Sequence, residues 1–91
     1  MIVHAAAGNL KKVSLELGGK SPNVVFKDAD LETAIAGSAS AIFFNHGQCC
    51  CAGSRLYVEN SVYAPVVERV AAHARKIKVG SRLDPETQLG P

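Results

Sequence analysis

Three consecutive cysteines, Cys49, Cys50 and Cys51, stand inside Asn45-His46-Gly47-Gln48-Cys49-Cys50-Cys51-Ala52-Gly53-Ser54-Arg55. Thiolate is the working form of a nucleophilic cysteine, and a free thiol is only a few per cent ionised at neutral pH, so a catalytic cysteine needs local help. Backbone amides of a loop are one source of that help. Gly47 and Gly53 flank the triplet and permit close backbone approach, and loops held by rigid elements are where reacting residues concentrate. A buried, unreactive cluster is the plainer reading of the pattern by itself, because free cysteine is among the most buried residue types. Glu16 is the second candidate, a carboxylate within the apolar run Val13 to Leu17 and just before Gly18 and Gly19. Alternation puts Ser14 and Glu16 on one face of a strand, and a solvated strand position also accounts for Glu16 without any function.

Other chemistries fit less well. Gly19-Lys20 is no phosphate loop, since the position five before Gly19 is Ser14 and Ser21 is followed by Pro22. Zinc ligation by Cys49, Cys50, Cys51 and His46 is disfavoured, because structural sites space their ligands to reach a tetrahedron. His46 reads as a helix-end residue, His4 and His73 as surface or packing residues. Lys20 reads equally as a solvated turn lysine or as one that contacts neighbouring backbone or a cofactor group, and Arg55 as an ion-pair residue ordering the cysteine loop. Contiguous cysteines in odd number make no disulfide framework, so reduced thiols in a reducing compartment are expected.

The elements that must position these residues are short. Val13 to Leu17 alternates and Asn23 to Phe26 is β-prone, with the turn formers Gly18 to Pro22 between them, so two strands are expected. Asp30 then serves as an N-cap, with Leu31, Ile35, Ser38, Ala39, Ile42 and Phe43 at helical spacing until Asn45-His46-Gly47. Arg55 to Glu59 reads as a third strand. Asn60 and Ser61 offer caps to a second helix, whose inner face is Tyr63, Val66, Val67, Val70, Ala74 and Ile77 and whose stop is Gly80. The stretch from Asp84 to Pro91 reads as loop. This rhythm is that of an α/β layer, a partial layer of a mostly parallel sheet with covering helices. Three short strands are few for two helices to cover, and the chain reads as excised from something larger.

Composition excludes more than it implies. A net charge of +2, from ten basic and eight acidic residues without a run of like charge, points to neither nucleic acid nor an anionic membrane. Nothing approaches the ~18 apolar residues of a membrane span. The first residues lack the basic and apolar regions of a secretory signal, so a cytoplasmic location is expected.

Two segments together suggest a family. Leu15-Glu16-Leu17-Gly18-Gly19-Lys20-Ser21-Pro22 closely resembles the glutamate motif of the aldehyde dehydrogenase superfamily, and Phe43 followed by Gly47-Gln48-Cys49-Cys50 resembles its cysteine motif. The resemblance runs from Ala6 to Pro91, with the two motifs in the family's order. It has no counterpart here for the family's cofactor-binding segment, for the asparagine that shares its oxyanion hole, or for its downstream glutamate motif.

The resemblance implies that residues 1–91 are a fragment of an aldehyde dehydrogenase catalytic domain. It makes Cys50 the nucleophile and Glu16 the base that activates water, a role to which partial burial between Leu15 and Leu17 would be suited. It brings the backbone of Leu17 and Gly18 near a nicotinamide cofactor, NAD or NADP, with a small-molecule aldehyde as substrate and a homo-oligomer as the complete enzyme. Glu16 favours hydrolysis to the free acid over transfer to coenzyme A, since family members making that transfer commonly lack this glutamate. By itself the fragment is expected to be inactive. The alternative is a non-catalytic remnant or a fragment that folds only against a partner.

Overall fold

The computed structural model describes all 91 residues. The elements are α1 (Ile2–Ala7), β1 (Pro22–Val25), α2 (Leu31–Phe43), β2 (Arg55–Val58) and α3 (Tyr63–Arg75), with single 3-10 turns at Phe44–Gly47 and Asn60–Val62. The β-branched and aromatic residues of β1 and β2 suit a pleated surface. The strands pair in parallel, Pro22 opposite Arg55 and Val25 opposite Val58. Parallel partners need a crossover connection, and α2 supplies it.

Asp30 begins α2 as expected. Its backbone is extended (φ −66°, ψ 101°) and its carboxylate accepts from the N–H groups of Glu32 and Thr33 and from the Thr33 hydroxyl at 2.8 Å, satisfying donors that a helix start leaves free. The Thr33 hydroxyl is the main reason that the Asp30 carboxyl titrates below its ordinary value, with the Thr33 and Glu32 amides adding to it. Pairing with Arg69 of α3, by hydrogen bond first and by charge second, likewise lowers Glu32. Both partners are exposed, so this link ties α3 to α2 only weakly.

Register decides which side chains enter the core. Asn23, Val25, Leu56 and Val58 share the helix-covered face. There Val25, Ile35 and the fully buried Val66 form a small cluster, packed by Leu31, Ala34, Leu56, Val58, Val62 and Val70. Asn23 Nδ2 donates to Ser38 Oγ at 3.0 Å and fastens β1 to α2. The opposite face is open, with Val24, Phe26 and Tyr57 half exposed or more. Only six residues are buried. The radius of gyration of 18.2 Å exceeds the roughly 12 Å of a compact chain of this length, which makes the unit a thin layer.

Several expectations need correction. Val13 to Leu17 forms no strand: every residue from Lys11 to Lys20 is exposed and none joins the ladder. Alternation assigns faces to a strand but supplies no partner for its N–H and C=O groups. α1 was not expected; it is a short, uncapped, alanine-rich turn. Asn60 and Ser61 do not cap α3, because they form a 3-10 turn and the cap position falls on Val62, while Ser61 Oγ donates to Glu59 at 3.3 Å. α3 ends at Arg75 with Lys76 as its cap, short of Gly80. Of its anticipated inner face, Tyr63 and Val67 are exposed. The tail from Asp84 to Pro91 is loop as expected, tied down by an isolated bridge of Val79 with Leu89 and by the pairing of Lys78 with Asp84 at 3.0 Å.

Candidate active site

The cysteine loop is carried on the end of α2. Asn45, His46 and Gly47 follow one another with φ of 47°, 63° and 71°, a left-handed run that turns the chain sharply off the helix. A side chain at Gly47 would be strained by that φ and would approach the Ile42 carbonyl to 3.1 Å. Asn45 tolerates the conformation best of the non-glycine residues, and its Nδ2 donates to the Gln48 carbonyl at 3.5 Å and toward Cys49 Sγ at 3.9 Å. The far end of the loop returns to the same helix, where the Gly53 N–H donates to the Ala41 carbonyl at 3.0 Å. There a Cβ on Gly53 would stand 3.2 Å from Cβ of Ala41 and 3.3 Å from Cβ of Asn23. Both glycines that flank the triplet thus serve close packing.

Between these anchors the Ala52 N–H donates to the Cys49 carbonyl at 3.1 Å and closes a turn over Cys50 and Cys51. Ala52 is buried. Cys49 is half-buried, whereas Cys50 and Cys51 are exposed as free thiols. The expectation of a buried cluster therefore holds for none of the three. The Cys50 N–H donates to no backbone acceptor in the chain.

The glutamate-bearing segment lies directly on this loop. A Cβ built on Gly19 would fall 2.3 Å from the Cys50 carbonyl oxygen, so only a glycine fits there without displacement. On the other side of this contact Arg55 Nε donates to the Lys20 carbonyl at 2.8 Å, and the Arg55 N–H donates to the Ser21 carbonyl at 3.4 Å. Arg55 was expected to form an ion pair; its acceptors are instead this carbonyl and the Tyr57 hydroxyl at 3.3 Å, and its guanidinium lies 5.8 Å from the Tyr57 ring centre. Lys20 Nζ donates to the Gly19 carbonyl at 3.2 Å, in line with a turn lysine that contacts neighbouring backbone. Glu16 lies three residues before Gly19 and is exposed, as are Leu15 and Leu17. Partial burial between its apolar neighbours is therefore not present within these residues.

Leu17 and Gly18 form an open strip beside this contact. Leu17 is 69% exposed, and no atom lies within 4 Å of a Cβ built on Gly18. The largest cavity is a cleft of about 570 Å³ lined by His46, Arg82, Thr87, Gln88, Gly90 and Pro91, with no cysteine in its lining. No group of three or more His, Cys, Asp or Glu residues is placed to hold a metal ion, and no helix is long and apolar enough to cross a membrane.

Sequence reasoning missed the Gly19 approach, the Arg55 clasp and the Asn45 contact. The Gly18-Gly19 doublet was the one visible signal among them, since a backbone carbonyl acceptor leaves no mark in a sequence.

Two parallel strands joined through a helix, with further helices and a thiol-bearing loop beside them, define an α/β arrangement. Comparison with known proteins makes this specific. Residues 1–91 match the profile of the aldehyde dehydrogenase family. An aldehyde dehydrogenase of Emericella nidulans is 56% identical over 87 residues, covering 96% of this chain and 18% of that protein. Retinal dehydrogenase 2 of Gallus gallus is 53% identical over 92 residues, covering 99% and 18%. Among solved structures, the NAD+ complex of aldehyde dehydrogenase from Bacillus cereus is 47% identical with a TM-score of 0.92, covering 99% of this chain and 18% of that one. The chain belongs to the aldehyde dehydrogenase family, and it spans about a fifth of the length of the relatives it matches.

Proposed function

We propose that these residues form the part of an aldehyde-oxidising enzyme that carries the nucleophile Cys50 and the general base Glu16, in a complete enzyme that releases a carboxylic acid. The observation carrying this reading is the backbone contact of Gly19 with the Cys50 carbonyl, which brings the segments bearing both residues together. As thiolate, Cys50 adds to the carbonyl carbon of the aldehyde, forming a C–S bond and a thiohemiacetal. The Cys50 N–H, free of backbone acceptors, donates to the oxyanion as it forms. A nicotinamide cofactor, when bound at Leu17 and Gly18, supplies a hydride acceptor, the chemistry that leaves the substrate carbon as a thioester. Glu16 takes a proton from the water that attacks this thioester. The C–S bond then breaks and Cys50 leaves as thiolate. NAD is the cofactor of choice because related structures hold it.

Peptide mapping of the complete enzyme after partial inactivation with limiting iodoacetamide tests the nucleophile. Label should appear first on Cys50, in step with lost activity. Label first on Cys49 or Cys51, with Cys50 unmodified and activity gone, would move the nucleophile. With six buried residues, the isolated 91-residue chain should neither bind the cofactor nor turn over. Micromolar NAD binding by calorimetry would overturn that expectation.

A further inference from the structure

The two reacting residues are carried on different segments, and one side chain joins those segments. Arg55 Nε donates to the Lys20 carbonyl at 2.8 Å, while its backbone N–H donates to the next carbonyl, Ser21, at 3.4 Å. Arg55 therefore meets two successive peptide groups of the segment after Glu16, Ser21 through the main chain where β1 and β2 begin to pair and Lys20 through its side chain. Arg55 also follows the cysteine loop, two residues beyond Gly53, which is itself pinned to Ala41. Upstream of the β1–β2 ladder the glutamate segment has few restraints: Lys11 to Lys20 is exposed throughout and joins neither helix nor strand. Gly19 meets Cys50 through a tight backbone approach with no side chain to lock it.

The guanidinium is itself held. It donates through a second nitrogen to the Tyr57 hydroxyl at 3.3 Å and lies 5.8 Å from the centre of that ring. Arg55 and Tyr57 are two apart on one strand and so project from the same face. A planar guanidinium can aim one N–H at a carbonyl and another at a hydroxyl in a fixed relation, which a lysine ammonium cannot.

We infer that Arg55 is a positioning residue that clasps the glutamate segment onto the cysteine loop and so sets where Glu16 stands relative to Cys50. This rests on the proposed roles of those two residues. The clasp acts on Glu16 through Lys20 and Ser21, whereas the cysteine loop has its own anchors at Gly47 and Gly53. Loosening it should therefore spare formation of the acyl-enzyme and slow its hydrolysis.

The test compares Arg55→Ala, Arg55→Lys and Tyr57→Phe with the unsubstituted complete enzyme, either the full-length protein bearing this segment or a relative into which these 91 residues are spliced. Rapid mixing followed by intact-mass analysis gives separate rates for acylation of Cys50 and for loss of the acyl group. A misplacement of about 1 Å at a reacting group can cost on the order of a hundredfold. Arg55→Ala should accordingly slow acyl loss by roughly tenfold to a hundredfold with acylation changed less than about threefold. Arg55→Lys should recover only part of the loss, and Tyr57→Phe should show a smaller defect of the same kind. Unchanged acyl loss in both Arg55 variants would overturn the inference, as would equal slowing of both steps in Arg55→Lys, the mark of a merely structural role. A missing acyl-enzyme at Cys50 in the unsubstituted protein would instead overturn the functional reading beneath it.

Discussion

Replacing Gly19 with alanine adds one methyl group where the segment bearing Glu16 meets the loop bearing Cys50. The new Cβ would stand 2.3 Å from the Cys50 carbonyl oxygen, whereas ordinary contact begins at 3.4 Å. Because both sides of the contact are backbone, no side chain can rotate away, and the segments must part by about 1 Å, a displacement that can cost on the order of a hundredfold in rate. That factor corresponds to about 2.7 kcal/mol of transition-state stabilisation. The assay is kcat/KM for an aldehyde at saturating NAD in the complete enzyme, corrected for the fraction of protein whose Cys50 still takes up iodoacetamide. Gly18→Ala is the comparison, since nothing lies within 4 Å of its added methyl; its cost should fall on KM for NAD with little change in thermal stability. A Gly19→Ala enzyme within about threefold of wild type would refute the reasoning, because a 1 Å shift at the reacting groups would then have carried none of its usual cost.

Further outcomes follow from the packing and the charges. Val66→Ala, at the one fully buried large side chain, should lower the unfolding free energy of the complete protein by about 2 kcal/mol, measured by denaturant titration. Glu32 has its carboxyl lowered from an ordinary value of 4.5 by Arg69, so the contribution of this pair is complete above that pH and is lost as pH falls through the lower folded value. The stability difference between wild type and Glu32→Gln should thus be constant at neutral pH and shrink on acidification below about 4.5, which denaturation at several pH values would show.

Much of the layer was legible from residue patterns. Asp30, the helical spacing from Leu31 to Phe43, and the β-prone runs of β1 and β2 each appear within two residues of their expected places. Local rules suffice there because a cap and a periodic face carry their own signal. Val13 to Leu17 failed because pairing is a property of two segments, and alternation in one of them cannot report the other. Asn60 and Ser61 failed because their cap chemistry was overridden by a 3-10 turn that moved the helix start to Val62. At the site, the identities of Cys50 and Glu16 were visible as motif residues, but their connection was not. It runs through Gly19, whose significance is an absent side chain, and through Arg55, whose acceptor is a carbonyl that almost any residue could supply. Arg55, just after the cysteine loop, was expected to form an ion pair, and the fold directs its guanidinium to the Lys20 carbonyl instead.

The proposed division of labour between Cys50 and Glu16 is tested most directly by Glu16→Gln in the complete enzyme. The amide keeps the shape and some of the hydrogen bonding of the carboxylate but cannot take a proton from water. Loss of a general base typically slows the step it serves by about a hundredfold to ten-thousandfold. Rapid mixing with aldehyde and NAD, following NADH formation together with the intact mass of quenched protein, reads both steps in one experiment. The account predicts that the first NADH still forms, that an acyl adduct accumulates on Cys50, and that steady turnover falls by that order. Turnover of Glu16→Gln at the wild-type rate, with no adduct, would contradict it and return Glu16 to the role of a solvated surface residue.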